Sequence, residues 1–324
     1  MSRLLVTGAN GFVGKALCAG LLRAGHETWG LVRSPKSCFP GVREWVLPGA
    51  DFAGVEDTWA PDVRFDAIIH LAARVHVMRD ATDDPLAAYR ATNVDGMLRL
   101  VRATAGAGVR RFVFLSSVKA LGEIEPGRPW REDDVSTPAD PYGQSKLEAE
   151  RELQRFCESP ESGGMEWVVL RPPLVYGPGV RANFLRLMQA VDRGVPLPIG
   201  RAFAPRSLVS LDNLGDALMR CATDARAAGN VFHVTDGEDL GVNMLVGHLA
   251  RLLDRPARRV GVPIALLRGL GTILGRRDEI DRLVSPLRLD SNKIANLLGW
   301  NPPVSLDAGL AATVAWYRAR PGSP

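Results

Sequence analysis

Cysteine, tyrosine and lysine are all scarce in this chain of 324 residues, with four, four and five of each. The cysteines, Cys18, Cys38, Cys157 and Cys221, show neither CxxC nor metal-ligand spacing. A disulfide scaffold and a metal site are therefore not expected, and reduced thiols in a cytoplasmic protein are. Long apolar runs are missing too. The best candidate, residues 262–274, is interrupted by Arg268 and glycines and falls short of the ~20 residues of a membrane helix; it reads as a cap helix facing substrate or a partner, with no membrane insertion. No charged region followed by a cleavable apolar stretch opens the chain, so no secretory leader is expected. Net charge is +4, but no dense basic run with interleaved aromatics accompanies it, which argues against nucleic acid as a partner and leaves small anionic ligands open.

What is present is alternation. Short apolar runs at 3–7, 27–32, 44–47, 67–71 and 111–115 are separated by helical patterns at 14–24 and 86–105, and 166–170 follows as another strand. Such alternation predicts an α/β fold built on a doubly wound parallel sheet. Proline-rich segments at 172–178 and 196–205 read as crossings to a smaller lobe, while 211–222 and 231–234 read as a helix and strand returning to the main sheet. From about 237 a mostly helical cap is expected, ending in a helix near 306–317. The expected division is 1–171 with 207–236 as the dinucleotide-binding part, and 172–206 with 237–324 as the substrate lobe.

Five lysines against 35 arginines draw attention to the segment D-P-Y-G-Q-S-K at 140–146. Asp140 suits a helix N-cap and Pro141 the first helical position, so a helix over 142–156 stacks Tyr142 and Lys146 on one face. An ammonium beside a phenol favours the phenolate and would bring its pKa toward neutral; arginine substitutes poorly for that point charge. Taken alone, the pair also fits a plain helix start with an exposed tyrosine and a solvated lysine.

The first strand runs into T-G-A-N-G-F-V-G at 7–14. Glycines at three-residue spacing between strand and helix let backbone approach a pyrophosphate aimed at the helix N-terminus. Arg33, after the second strand, stands where an acid would hold the ribose of NAD and suits the 2′-phosphate of NADP; it fits a surface arginine equally well. Ser116 and Ser117 end the fifth strand, where ligands of open parallel sheets bind.

With these motifs on the page, together with H-L-A-A at 70–73, A-T-N-V-D-G at 91–96, L-R-P at 170–172, Y-G-P-G at 176–179 and L-G-W-N-P at 298–302, the chain resembles the extended short-chain dehydrogenase/reductases, in their nucleotide-sugar epimerase, reductase and dehydratase branch. The resemblance implies a Rossmann fold with a helical substrate lobe and NAD or NADP as cofactor. It makes Tyr142 the acid/base at a sugar hydroxyl, with Lys146 binding the nicotinamide ribose and Ser117 bonding the reacting oxygen. Gly8, Gly11 and Gly14, with Asn10, Phe12 and Val13 between them, would cradle the pyrophosphate. Asp51 and Phe52 would meet adenine; Leu71, Ala72, Ala73 and Asn93 would line the cofactor cleft; Pro172 and Leu174 would face the nicotinamide. Asn183, Arg206 and Arg282 would take the substrate's diphosphate and base.

Departures from the family pattern prune the reactions. The 4,6-dehydratases carry an Asp-Glu pair after the catalytic hydroxyl residue, where this chain has Val118 and Lys119, so dehydration is not expected; epimerisation at C3 and C5 needs a second proton-transfer residue there, which Val118 cannot be. A 4-epimerase with retained cofactor and an NADPH-dependent 4-ketoreductase of an NDP-4-keto-6-deoxyhexose remain, the epimerase preferred. A dinucleotide-sensing protein without catalysis is the reading from another class; the complete Ser, Tyr and Lys set counts against it. The resemblance further implies a UDP- or dTDP-hexose substrate, surface-polysaccharide synthesis, and a homodimer packed through the 86–105 and 142–156 helices. His70, His233 and His248 read as structural, as does His76 unless it reaches substrate.

Overall fold

Apolar residues buried on both faces make the first strand, Arg3–Thr7 (β1), in which every residue after Arg3 is buried, as parallel strands covered by helices on either side require. The computed structural model describes residues 1–320 apart from 60–62, 76–83, 274 and 276. After β1 come Phe12–Arg23 (α1), Glu27–Val32 (β2), Arg43–Val46 (β3) and Ala67–His70 (β4). Pro85–Arg90 (α2) then passes through a π-helical stretch, Ala91–Gly96, into Met97–Gly106 (α3). The helix expected over 86–105 therefore carries a widened turn around Asn93. Arg111–Leu115 (β5), Pro141–Glu158 (α4) and Glu166–Arg171 (β6) follow, then Leu174–Tyr176 (β7), Ala182–Asp192 (α5) and Arg206–Ser210 (β8). Leu211–Thr223 (α6), Asn230–His233 (β9) and Asp239–Leu240 (β10) precede five helices: Val242–Leu253 (α7), Ile264–Ile273 (α8), Arg277–Val284 (α9), Asn292–Leu298 (α10) and Leu306–Arg318 (α11). Among the described residues no helix is long and apolar enough to cross a membrane.

Seven strands pair in the order β3-β2-β1-β4-β5-β6-β9, all parallel. One apolar core packs α1 and α6 on one face of this sheet; a second packs α3 and α4 on the other. This is the doubly wound Rossmann architecture. The strand order turns back between β1 and β4, so a ligand crevice is expected beyond their carboxyl ends.

A second sheet, β10-β8-β7, was not anticipated. Residues 174–176 and 206–210 look like irregular crossings because each run is short and flanked by proline. Their strand character comes from pairing with each other across more than thirty positions, Leu174 with Leu208 through Tyr176 with Ser210. β8 thus belongs to the small sheet, and the chain rejoins the large one through α6 and β9. Where the loop after β5 meets the C-terminal part, Val118, Leu121 and Trp130 pack on Leu287 and Leu289.

Candidate active site

Backbone clearance builds the cradle at the switch point. Gly8 has φ +67°, and a Cβ there would lie 3.0–3.2 Å from the Leu71–Ala72 backbone; at Gly14 a Cβ would come within 2.1 Å of the Gly8 carbonyl. Any side chain at these two positions would force apart β1, α1 and the segment after β4, so the turn exists only with glycine. Gly11 closes it by donating its N–H to the Gly8 carbonyl at 2.9 Å. Asn10 is exposed and donates to the Ser37 hydroxyl at 3.2 Å, while the Phe12 ring lies beneath Gly179 of the loop after β7. Leu71, Ala72 and Ala73 run past the cradle. The Thr7 hydroxyl accepts the N–H groups of Leu71 and Ala72, both at 3.2 Å, so its own proton points to His70 Nδ1 at 2.9 Å. Burial drives the His70 pKa down to about 3, with the Lys146 ammonium adding to it; His70 is a neutral core residue.

The second cluster stands on α4. Asp140 caps the helix, its carboxylate accepting the Gly143 N–H at 2.7 Å, and Pro141 occupies the first turn. Lys146 is 2% exposed, donates to the Leu115 carbonyl at 2.8 Å, and lies 4.5 Å from the Phe114 ring centre and 6.0 Å from that of Tyr142. Burial lowers its pKa to about 7, against the upward pull of Glu150. Tyr142 departs from the expectation of a lowered pKa. Burial, the Asp140 carboxylate and Tyr89 push the phenol above its ordinary value, and a hydrogen bond with Ser117 works the other way. The physical reason is desolvation of the phenol itself: burial penalises the phenolate, and the Asp140 charge adds to that penalty. Ser117 also caps the turn at 118–120, accepting the Lys119 N–H at 3.2 Å.

Sequence reasoning missed what stands behind these groups. Arg171, at the end of β6, donates Nε to both Glu150 oxygens at 3.0 and 3.1 Å and Nη2 to one at 2.6 Å; Ser116 donates to the same carboxylate. Both side chains of the pair are nearly inaccessible, so the network fixes the rotation of α4 against the sheet. Glu150 one turn after Lys146 was the available signal. Asn93, projected by the π turn, accepts the Arg74 N–H at 2.8 Å and donates to the Ser145 hydroxyl at 3.0 Å, tying the segment after β4 to α4. Widened turns of this kind recur where a helix must aim one side chain at a site.

The remaining expected residues are spread along the crevice and beyond it. Arg33 is exposed after β2. Asp51 pairs with Arg99 at 2.5 Å, which occupies its carboxylate; Phe52, with φ +58°, is buried 5.5 Å from the His70 ring. Pro172 accepts the Val118 N–H at 2.9 Å, and Leu174 is 52% exposed. On the other side Arg206 and Arg282 come together: Arg206 Nη1 donates to the Arg282 carbonyl at 2.6 Å and the Ser285 carbonyl at 2.9 Å, while Arg282 Nε donates to Glu123 at 2.7 Å. Asn183 is exposed at the start of α5, on a different element. His76 lies outside the described residues. The side-chain-free cradle and a buried ammonium whose acceptor is a carbonyl fit a dinucleotide with one end at α1 and the other at α4.

Comparison with known proteins agrees with the fold. The model of the NAD-dependent epimerase/dehydratase family matches residues 4–234. A UDP-glucose 4-epimerase of Vibrio cholerae is 38% identical, the match covering 96% of this chain and 94% of that one. Among solved structures, UDP-glucose 4-epimerase of Thermotoga maritima with UDP-glucose has a TM-score of 0.78 at 25% identity, covering 98% of both chains. MoeE5 in complex with UDP-glucose and NAD has a TM-score of 0.76 at 27% identity, again covering 98% of both.

Proposed function

The chain belongs to the NAD-dependent epimerase/dehydratase family, and from that premise we propose that it is a nucleotide-sugar 4-epimerase acting on a UDP- or dTDP-hexose. It is an NAD(P)-dependent enzyme. The observation that carries the reading is the convergence of Ser117, Tyr142 and the buried Lys146 beside the glycine cradle at the sheet's switch point. In it Gly8, Gly11 and Gly14 hold the pyrophosphate and Lys146 holds the nicotinamide ribose. Bound there, the cofactor supplies reversible hydride transfer at sugar C4. Ser117 orients the C4 oxygen, and Tyr142 takes its proton and returns it. A lysine with a pKa of about 7 carries its charge in part of the population at neutral pH, and the charged form is the one that favours the phenolate. Arg282, 40% exposed, and Arg206 offer guanidinium donors suited to two phosphate oxygens.

The test is incubation with a panel of UDP- and dTDP-hexoses, with and without NADPH, read by proton NMR of the sugar. Interconversion of C4 epimers without added reductant is expected; no change with any substrate would end the proposal. One observation favours a second reading. Arg33, exposed after β2 where an acid would select NAD, supports NADP and with it a 4-ketoreductase. Denaturing the purified protein and assaying released nicotinamide separates the two, since an epimerase retains its dinucleotide and a reductase exchanges it. The proposal keeps the expected division into a dinucleotide-binding part, 1–171 with 207–236, and a substrate lobe, except that 207–210 pair in the small sheet as part of β8. It also includes a cytoplasmic homodimer packed through α2–α3 and α4, and a light-scattering mass of one chain would remove the dimer.

A further inference from the structure

The 118–125 segment ties the catalytic helix to the substrate lobe through charge. We propose that Lys119 is a positioning residue for Tyr142: it holds the Asp140 cap in place, offsets the charge of that carboxylate, and hands the link on to Arg282 through Glu123. The inference rests on the assignment of Tyr142 as the acid/base.

Three observations carry it. Lys119 pairs with Asp140 and, at 3.2 Å, with Glu123, whose other oxygen takes Arg282 Nε at 2.7 Å. The result is an alternating row, Arg282, Glu123, Lys119, Asp140, running from α9 to the first turn of α4. Its two carboxylates are 15% and 12% exposed, so salt screens the row far less than surface pairs. Second, the backbone fixes Lys119 against the helix start: a Cβ on Gly143 would lie 2.4 Å from the Lys119 carbonyl. Third, the carboxylate that Lys119 pairs with is one of the groups bearing on the Tyr142 phenol. From α2, Tyr89 stands 6.0 Å away ring to ring, with the Arg74 guanidinium 5.6 Å from its ring centre; Ser117 bonds the phenol, and Lys146 lies one turn on. Asp140 is the one carboxylate among these, and it raises the Tyr142 pKa. Lys119 therefore stands where dehydratases carry an acid, yet its ammonium is committed to the helix cap.

The test is the pH dependence of kcat for the full-length enzyme with whichever hexose nucleotide it turns over, comparing wild type with Lys119→Met, Lys119→Arg and Asp140→Asn. Lys119→Met is expected to move the limb belonging to Tyr142 upward by roughly one pH unit, as loss of a compensating charge does, and to lower kcat at neutral pH about tenfold with KM within about twofold. Lys119→Arg restores the profile, and Asp140→Asn moves the limb downward. A fall in kcat with an unmoved limb means a merely structural role and overturns the inference, as does an arginine variant no better than methionine. Should Lys119→Met not fold, Asp140→Asn decides: an unmoved limb there overturns the inference too. Tyr142→Phe measured alongside keeps the two readings apart, because a dead Tyr142→Phe with an unmoved Lys119→Met limb sinks only the positioning role, whereas an active Tyr142→Phe sinks the acid/base assignment itself.

Discussion

Lys146, above the large sheet, and Arg206, in the small one, are cations withdrawn from water and held in opposite ways. Lys146 has one carbonyl and the face of Phe114, and its pKa falls to about 7. Arg206 gives one nitrogen to two carbonyls; burial lowers it as well, but a guanidinium starts so high that it keeps its proton. In the proposed mechanism the difference separates two tasks. A group whose charge must respond to its neighbours at neutral pH is a lysine left short of partners, and a group that must present a fixed charge to an anion is an arginine braced by backbone. A chain with 35 arginines keeps one of its five lysines at the first kind of place.

The comparison breaks most completely at Tyr142, the group that the lysine serves. Tyr142→Phe removes the transferable proton and little else, so kcat is expected to fall on the order of 10²–10⁴-fold while co-purified dinucleotide stays at the wild-type level. Near-normal turnover would leave Lys146 with nothing to tune. Next is Lys146→Met, for which kcat should fall roughly 100-fold and the pH dependence of stability should flatten. Without cofactor, the folded protein has released the Lys146 proton above about pH 7, while the unfolded chain keeps it up to the ordinary lysine value of 10.5. Between those values the unfolded state binds more protons, so stability rises with pH. Thermal melts from pH 7 to 10 on wild type and variant measure this contribution; a slope unchanged by the substitution would show that Lys146 is not held near 7.

Arg206→Lys tests the other side with a smaller effect. A lysine ammonium, on a different stem and without the guanidinium's remaining nitrogens, cannot both meet the Arg282 and Ser285 carbonyls as Nη1 does and present further donors to an anion. The expectation is a loss of about 1–3 kcal/mol in denaturant unfolding from imperfectly satisfied carbonyls, with KM about tenfold higher and kcat within about twofold. A change confined to kcat would place Arg206 in the chemical step.

The two regions also differ in how far they were legible. β1, β2 and β5 begin and end where the apolar runs do, because a strand buried on both faces writes its own length in apolar residues; the start of α4 follows from Asp140-Pro141. That Ser117, Tyr142 and Lys146 lie together was readable from spacing and context. β7 and β8 were not, since their pairing is set by partners distant in the chain, and neither was the π turn at Asn93, which propensity does not encode. The direction of the Tyr142 shift was misread for a related reason: a sequence shows which charges are near, and desolvation depends on everything packed around them. The ties that hold the site, Glu150 with Arg171 and Lys119 with Asp140, look like ordinary surface charges until the helix is docked.

Arg33 is the mildest test, because its guanidinium is exposed and exposed ion pairs contribute little. Its setting is nonetheless ordered. The Glu44 carboxylate accepts the N–H groups of Lys36, Ser37 and Cys38 at 2.5, 2.7 and 2.7 Å, and Ser37 in turn takes the Asn10 amide at 3.2 Å. The loop that Arg33 opens is thus braced against the glycine turn, within the part of the crevice where the adenosine ribose of a bound dinucleotide would lie. Arg33→Asp replaces a cation suited to a 2′-phosphate by an acid suited to a 2′-hydroxyl. The ratio of NADP to NAD affinity, measured by calorimetry on protein stripped of cofactor, is expected to fall by up to about fivefold, with the melting temperature within a degree or so of wild type, as for most exposed substitutions. An unchanged ratio would make Arg33 one more surface arginine and remove the observation that favours the ketoreductase, leaving retained NAD and the epimerase.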